Sequence, residues 1–364
     1  MKELTDHFRD PEEAERISQK IRKLSEDMNP VKLMNVCGTH EMNIVKHGIR
    51  NLLPKKIKLI AGPGCPVCVT PSREIDEAIE LAEEGKKITT FGDMYRVPGS
   101  SSSLTSAKTK GADVQIVYGI SDAVEIAAQN PGREVVHVAI GFETTAPTTA
   151  AEMLREPPEN FSILTCHRVM PPVMEHLLTS GETDIDGYIC PGHVSTIIGA
   201  EPYRPLSKKF EIPQVIAGFE PLDILLSVLM LLRQMKEGRN EVENEYERFV
   251  REKGNERAKN QMKEVFDKTD DFWRGFPKIP KSKLELRGKF EKHDARKKFD
   301  IETEREIEFS KGCRCDEVLK GLIDPKKCPF FLNGCSPDSP KGPCMVSAEG
   351  TCSVWARHGG SDQL

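Results

Sequence analysis

The sequence predicts an α/β protein with two related parallel-sheet domains and a third, mainly helical or irregular domain that is rich in cysteine. Two observations predict this organisation. From residue 31 to about residue 230, short apolar or β-branched runs alternate with stretches of helical pattern. That alternation is typical of βαβ units with parallel strands. From about residue 235 the sequence becomes highly charged, and six cysteines follow between residues 313 and 352.

Eight runs qualify as strands, because each is short and apolar or β-branched and ends at a Gly or a Cys. Two blocks of four predict a first α/β domain over residues 31–125, which carries the early cysteine motifs, and a second over residues 126–232. The first four runs read VKLMNVC, KIKLIAG, KKITTFG and DVQIVYG, and the second four read EVVHVAIG, FSILTC, IDGYIC and PQVIAG.

The third domain is assigned residues 1–30 and 233–364. The first part is charged and helical in pattern. Residues 233–266, RQMKEGRNEVENEYERFVREKGNERAKNQMKEVF, show the pattern of a long amphipathic helix, broken near Gly254. The following WRGFPKIPKSKLELRGKF contains prolines and predicts an irregular or extended segment.

Composition limits the classes of partner. A net charge of -5 and a pI of about 6.1 argue against nucleic acid or an anionic membrane. No apolar run approaches the roughly 20 residues of a membrane span, and the charged first residues contain no signal-peptide core. We therefore expect a cytoplasmic protein. In that compartment, eleven cysteines indicate metal or redox chemistry rather than structural disulfides.

The cysteine-rich tail is irregularly spaced. A structural zinc site usually shows two tight Cys pairs, and that pattern is absent here. Widely spaced cysteines among Gly and Pro favour a [4Fe-4S] cluster held by four thiolates, with zinc or inert buried thiols as alternatives. One of Cys313 and Cys315 is expected to be spare, and so is Cys344. The expected cluster ligands are Cys328, Cys335 and Cys352 together with Cys313 or Cys315.

The segment CGTHE places Cys37 between a strand and a helix. The dipole of a helix N-terminus lowers the pKa of a thiol, so a thiolate is expected there. His40 lies three residues later and can share the same helix face. The two residues suit a nucleophile with its base or a soft metal site. The alternative is a small buried cysteine that only packs.

The segment GPGCPVC contains the pair Cys65 and Cys68, again between a strand and a helix. A Cys-x-x-Cys pair serves either as half of a zinc site or as a redox dithiol. Because no matching second pair occurs in the first 230 residues, the sequence favours the dithiol. Cys166 and Cys190 also end strands and are expected to pack in the core.

Seven segments resemble the HypD family of hydrogenase maturation factors. In chain order they are CGTHE, GPGCPVC, FGDMYRVPGS, GFETTAPTTA, PGHVSTIIG, GFEPLDIL and CPFFLNGCSPDSPKGPCMVSAEGTC. The resemblance covers nearly the whole chain. It implies two related α/β domains and a third that holds a [4Fe-4S] cluster. It also implies a scaffold for assembling the Fe(CN)2CO group of [NiFe]-hydrogenase with the small chaperone HypC, while HypE, supplied by HypF, delivers cyanide.

The resemblance assigns roles to the early residues. Cys37 would be the thiolate that binds the additional iron, and His40 would lie beside that iron or the incoming ligand. Cys65 and Cys68 would form a redox pair connected to the cluster, and either could bind iron during assembly. The alternative function is a free-standing iron–sulfur-dependent thiol–disulfide reductase, in which Cys37 has no task.

Overall fold

The computed structural model describes residues 7–301 and 312–359, and it contains all eight predicted strands. All eight lie in parallel sheets, which confirms the predicted α/β class. Four of the strands are buried along their whole length, as expected for parallel sheets covered by helices on both faces. The strands are β1 (Val31–Asn35), β2 (Ile57–Ala61), β3 (Lys87–Thr90), β4 (Val114–Ile116), β5 (Val135–Gly141), β6 (Phe161–His167), β7 (Gly187–Pro191) and β8 (Gln214–Ala217).

The sheets do not follow the predicted ranges 31–125 and 126–232. Sheet A has the order β2-β1-β7-β8-β9, where β9 is Val242–Asn244, and sheet B has the order β4-β3-β5-β6. In sheet A, Leu33 of β1 pairs with Gly187 of β7. A Cβ atom at Gly187 would lie 3.1 Å from Leu33 and 3.3 Å from Leu231, so these side chains would have to shift by a few tenths of an ångström to admit it. Strand periodicity identified the strands but carries no information about which strands pair.

Helices connect the strands and cover the sheets. Among the described residues, no helix combines the length and apolarity that crossing a membrane requires. The α-helices are Pro11–Ser25, Gly38–Lys46, Ile49–Leu52, Pro66–Val69, Ser72–Glu83, Gly92–Tyr95, Leu104–Thr109, Ile120–Gln129, Ala146–Leu154, Met170–Ser180, Gly192–Ile198, Arg204–Phe210, Pro221–Glu237, Glu256–Val265, Ala295–Lys298, Cys315–Leu319, Pro343–Val346 and Thr351–His358. The 3-10 helices are Glu201–Tyr203, Gly288–His293 and Pro325–Lys327.

The N-terminal helix packs on sheet A, not on the cysteine-rich tail with which the prediction grouped it. Its Ile17 and Ile21 are buried in one core with Leu33 of β1 and with Leu225 and Leu229 of the helix Pro221–Glu237. Asp10 caps the N-terminus of this helix, because its side chain accepts from the backbone N–H groups of Glu12 and Glu13 in the first turn. Its apolar stripe faces sheet A, and that burial fixes its place.

The long helix predicted over residues 233–266 does not form. The helix Pro221–Glu237 ends where Gly238 adopts φ 67°, a left-handed conformation that favours glycine. Val242 is then buried at the edge of sheet A in β9, and a new helix starts only at Glu256. Gly254 does mark a break, with φ 66°. Charged residues with helical spacing also suit an exposed edge strand and a turn, so the pattern was ambiguous.

An antiparallel hairpin follows, formed by β10 (Phe266–Phe272) and β11 (Lys278–Leu286). The extended character of this segment was predicted, but its pairing was not. The hairpin attaches to the rest of the molecule through five charged residues, which we call the ionic cluster; four of them are buried and Arg296 is half-buried. Its members are Glu74, Arg168, Asp271, Lys283 and Arg296.

The tail also docks on sheet A through its last helix. Trp355 donates its indole N–H to Glu41 Oε1 at 2.6 Å, and Arg50 forms an ion pair with the same carboxylate at 2.9 Å. Val354 and Trp355 pack against Val45 of the helix that follows β1. These contacts hold the cysteine-rich tail against the helix that begins at Cys37.

Candidate functional site

A small cavity of about 70 Å³ lies where the carboxyl ends of the two sheets face each other. Its walls come from the loops after β1, β2 and β7 of sheet A, from the loop after β5 of sheet B, and from the tail. Parallel α/β proteins bind ligands at this edge of their sheets. We call this cavity the Cys37 pocket, and its lining includes Cys37, Gly64, Phe142, His193 and Glu349.

Cys37 is the residue that precedes the helix Gly38–Lys46, as predicted. The backbone N–H groups of Thr39 and His40 favour its thiolate, but burial outweighs them and raises the pKa of Cys37 to about 11. The expectation of a lowered pKa was therefore wrong. A dry pocket penalises the thiolate more than a helix terminus stabilises it. At neutral pH the group is a thiol that needs a metal ion or another positive charge to ionise.

Gly64 forms the wall of the pocket next to Cys37. A Cβ atom at this position would lie 2.4 Å from both Cα and N of Cys37, so no other residue fits without backbone movement. The Gly64 carbonyl also accepts from Gly38 N–H at 3.2 Å. The GPG sequence before the cysteine pair thus brings two strand ends into direct backbone contact.

Cys65 and Cys68 form a disulfide across the short helix Pro66–Val69, with a Cα–Cα distance of 5.3 Å. Both residues are buried, with exposed fractions of 3% and 0%. The pair therefore sits directly beside the Cys37 pocket, within the loop whose Gly64 contacts Cys37. The pair lies between a strand and a helix, as the sequence predicted. Its redox role stays a prediction.

The six tail cysteines line one cavity of about 20 Å³. We call it the cysteine cavity. It includes both members of the pair Cys313 and Cys315, and it includes Cys344, which was expected to be spare. Burial and the neighbouring thiols raise the pKa of Cys313 to about 12. Within residues 7–301 and 312–359, no group of three or more His, Cys, Asp or Glu side chains is arranged as a metal site. The choice of four ligands among the six stays a prediction.

The disulfide lies between the two cavities. Cys68 Sγ is 3.9 Å from the carbonyl oxygen of Pro343, which begins the short helix that contains Cys344. Gly350 packs tightly on Cys344, since a side chain there would approach the Cys344 carbonyl oxygen to 2.2 Å. The order in space is therefore Cys37, the disulfide and the cysteine cavity.

Glu349 closes the Cys37 pocket from the side of the tail. It accepts a hydrogen bond from Thr39 Oγ1 at 3.1 Å, and its main chain packs on Gly38, where a Cβ would lie 2.6 Å from Glu349. Burial raises the pKa of Glu349. From the side of sheet B, Asp93 accepts from Ser347 Oγ at 2.9 Å and from Ala348 N–H at 3.1 Å.

His40 is fully buried, and it does not line the Cys37 pocket. Its Nε2 lies 3.2 Å from the Ala217 carbonyl oxygen, and burial lowers the pKa of His40 to about 4. His193, in the first turn of the helix that follows β7, does line the pocket and stacks on Phe219 with ring centroids 3.9 Å apart. The structure thus brings His193 rather than His40 to the wall beside Cys37.

Comparison with known proteins shows the family of this chain. The HypD family model, described as "Hydrogenase formation hypA family", matches residues 12–359. The chain belongs to this family.

Curated relatives match over almost their full length. A putative hydrogenase expression/formation protein of Methanocaldococcus jannaschii is 50% identical, covering 93% of this chain and 95% of the relative. The hydrogenase maturation factor HypD2 of Bradyrhizobium diazoefficiens is 45% identical, and HypD of Cupriavidus necator is 43% identical. Each of these two matches covers 97% of this chain and 96% of the relative. A role of this HypD-family chain in hydrogenase maturation follows.

Sequence reasoning missed several residues of the site. Glu349 lies more than three hundred positions from Cys37 along the chain, so no local pattern joins them. Phe142 was visible only as part of a Gly-Phe-Glu segment at the end of a strand. The signal that did find the site was positional: chemically capable residues followed the carboxyl ends of the strands.

Proposed function

We propose that this chain is the scaffold and redox partner on which the Fe(CN)2CO group of [NiFe]-hydrogenase is assembled in the cytoplasm. It would act with a HypC-type small chaperone and would receive cyanide from HypE, which acts together with HypF. Cys37 would bind the additional iron, the disulfide would supply electrons once reduced, and the tail would hold a [4Fe-4S] cluster.

One observation carries the proposal, namely the order of the sulfur atoms in space. Gly64 contacts the backbone of Cys37, the next residue is Cys65, and its partner Cys68 contacts the helix of Cys344. A single thiol, a dithiol pair and six clustered thiols therefore form one continuous series. Packing alone gives no reason for such a series, whereas electron transfer between metal centres does.

The cysteine cavity suits the cluster by its chemistry. Six cysteines surround one small space, and a [4Fe-4S] cluster needs four thiolates. Cys335 Sγ accepts the N–H of Lys341 and Cys344 Sγ accepts the N–H of Cys352, both at 3.3 Å. Such hydrogen bonds stabilise negative charge on sulfur. We keep Cys328, Cys335, Cys352 and one of Cys313 and Cys315 as the proposed ligands. When bound, the cluster passes one electron at a time.

The disulfide and Cys37 would carry out the remaining steps, which are electron supply and iron binding. Two electrons and two protons convert the disulfide to the dithiol. Releasing cyanide from a thiocyanate carrier consumes two electrons, because R–S–CN becomes a thiolate and CN⁻. The dithiol supplies both electrons as it returns to the disulfide. Cys37 would lose its proton on binding iron, since the metal replaces the proton on sulfur. Iron(II) with cyanide and CO is soft and suits a thiolate.

The burial of the disulfide disfavours the alternative of a free-standing thiol–disulfide reductase. A protein substrate must reach the attacked sulfur, and the exposed fractions of Cys65 and Cys68 are 3% and 0%. A small iron ligand needs far less access.

Metal analysis of the anaerobically purified complex with the HypC-type partner tests the proposal. The wild-type complex should contain iron beyond the four atoms of a cluster. Cys37→Ala should lose the additional iron and its infrared bands for CN and CO, while the absorbance of the cluster remains. Cys166→Ala, which changes a buried cysteine of the core, is the matched control and should keep both. If Cys37→Ala keeps the additional iron, the assignment is wrong.

A further inference from the structure

A second cavity, of about 690 Å³, opens beside the cysteine cavity. The two cavities share Cys313, Cys315 and Gly342 in their walls. The volume falls in the range of small-molecule sites, roughly 300–1,000 Å³. The Cys37 pocket has no lining residue in common with it. We call this second cavity the serine pocket, after the loop Gly99–Ser103 along one side.

The charge of the serine pocket is one-sided. Arg96, Arg274 and Lys341 line it, and no Asp or Glu is among its described lining residues. Arg96 is exposed and donates to the Pro337 carbonyl oxygen at 3.0 Å. Although the whole chain is acidic, this cavity therefore presents cations to whatever enters it. A concave surface with one sign of charge concentrates ligands of the opposite sign.

Arg274 is the buried part of this wall, with an exposed fraction of 4%. Its Nε donates to the Thr70 carbonyl oxygen at 2.7 Å, and its Nη2 lies 3.4 Å from the Pro98 carbonyl oxygen. No carboxylate among the described residues forms an ion pair with it. Burial of the guanidinium lowers the pKa of Arg274 to about 10. Cys315, Asp76 and Glu74 favour this charge at longer range, and an anion in the pocket would add the direct ion-pair partner that the guanidinium lacks.

The serine loop supplies the hydrogen-bond donors. Ser100, Ser101, Ser102 and Ser103 all line the pocket. Ser100 is held by Asp76, which accepts from its N–H at 2.9 Å and from its Oγ at 2.5 Å. Ser102 Oγ is shielded from water and has no hydrogen-bond partner in the described part of the chain. This hydroxyl presents no surface to the pocket in its present rotamer, so it would rotate about χ1 to donate a hydrogen bond to a ligand oxygen.

We propose that the serine pocket binds a phosphate-type oxyanion, either free or carried on a small organic molecule. Arg96 and Arg274 would neutralise its charge, as guanidinium groups do for phosphate oxygens, and Ser102 would donate a hydrogen bond. The site is distinct from the Cys37 pocket, and it would place a negative charge next to Cys313 and Cys315.

Equilibrium binding of pyrophosphate, orthophosphate and ribose 5-phosphate to the purified full-length protein with its cluster tests this proposal. One saturable site per chain is expected. Arg96→Gln, which changes an exposed residue, should weaken binding about tenfold, equivalent to about 1.4 kcal/mol, and Arg274→Gln should weaken it more. Tighter binding of pyrophosphate than of ribose 5-phosphate identifies a free oxyanion, and the reverse order identifies an organic phosphate.

Arg204→Gln is the control, because it removes an exposed arginine that pairs with Glu252 elsewhere on the surface. It should bind like wild type. Absence of saturable binding for all three probes overturns the proposal, and so does equal binding by wild type, Arg96→Gln and Arg274→Gln. The additional iron of the Cys37→Ala experiment is measured separately, so failure of one proposal leaves the other intact.

Discussion

The Cys37 pocket and the ionic cluster bury titratable groups to a similar degree, yet they hold them in opposite states. Around the pocket, burial raises the pKa of Cys37 to about 11 and lowers that of His40 to about 4, so both are neutral at pH 7. Glu143, which lies between the two pocket residues Phe142 and Thr144, has its pKa raised by burial to about 7. This region disfavours charge.

The ionic cluster keeps its charges. Burial by itself would raise the pKa of Glu74, but Arg168, Lys283 and Arg296 outweigh it and hold that pKa well below its usual range. The three cations lie 3.0, 3.1 and 3.3 Å from the Glu74 carboxylate. The cluster joins the helix after the disulfide to β6, to the hairpin and to the helix Ala295–Lys298.

The difference shows that paired cations decide the charge of a buried group. With them, a carboxylate stays ionised and fastens segments together. Without them, the same carboxyl binds a proton. If a metal ion binds in the Cys37 pocket, as proposed, it would give the Cys37 sulfur the positive partner that the pocket otherwise lacks.

The largest expected effect on the free energy of unfolding comes from breaking the ion pairs of the ionic cluster. Glu74→Gln removes the one carboxylate that Arg168, Lys283 and Arg296 all share, and breaking a buried pair costs about 3–5 kcal/mol. Asp271 still pairs with Arg168 and Lys283, and Glu77 still pairs with Arg296. We expect the free energy of unfolding, measured by urea denaturation, to fall by that amount.

The control for this change is Glu175→Gln, which removes one member of an exposed pair with Lys209. It should change the free energy of unfolding by less than about 1 kcal/mol. Equal effects of the two substitutions would contradict the structural role assigned to the cluster.

A smaller effect is expected at the Cys37 pocket itself. Gly64→Ala places a methyl group 2.4 Å from the backbone of Cys37, so the loop must move, at a cost of about 1–3 kcal/mol. Iron bound in addition to the cluster should be lost at the same time. Gly132→Ala, where a side chain meets open space, is the matched control. Retention of the additional iron by Gly64→Ala would show that this contact does not shape the site.

The last effect concerns pH. Because the pKa of Glu143 is raised in the folded state, its contribution to stability is fully present below pH ~4.5 and is lost as the pH rises through about 7. Glu143→Gln cannot ionise, so its free energy of unfolding should gain about 2.5 kcal/mol relative to wild type between pH 5 and pH 8. Parallel pH profiles for the two proteins would rule out the raised pKa.

Much of the fold could be predicted because local pattern is enough to mark a buried strand. All eight strand candidates formed, and Cys166 and Cys190 are core residues as expected. The pairing of β1 with β7 could not be predicted, since it depends on contacts between distant segments such as Leu33 and Gly187. The hairpin β10–β11 was missed for the same reason.

Within the candidate site, the sequence by itself determined where each sulfur atom lies along the chain relative to the strands and helices. Strand ends, glycines and Cys-x-x-Cys spacing are local features, and they located Cys37, Cys65 and Cys68 correctly relative to strands and helices. Only the tertiary structure decided that Glu349 closes the pocket, that His193 rather than His40 lines it, and that burial raises the pKa of Cys37. The physical reason is that desolvation and long-range contact depend on what surrounds a group in three dimensions, which its neighbours in sequence do not specify.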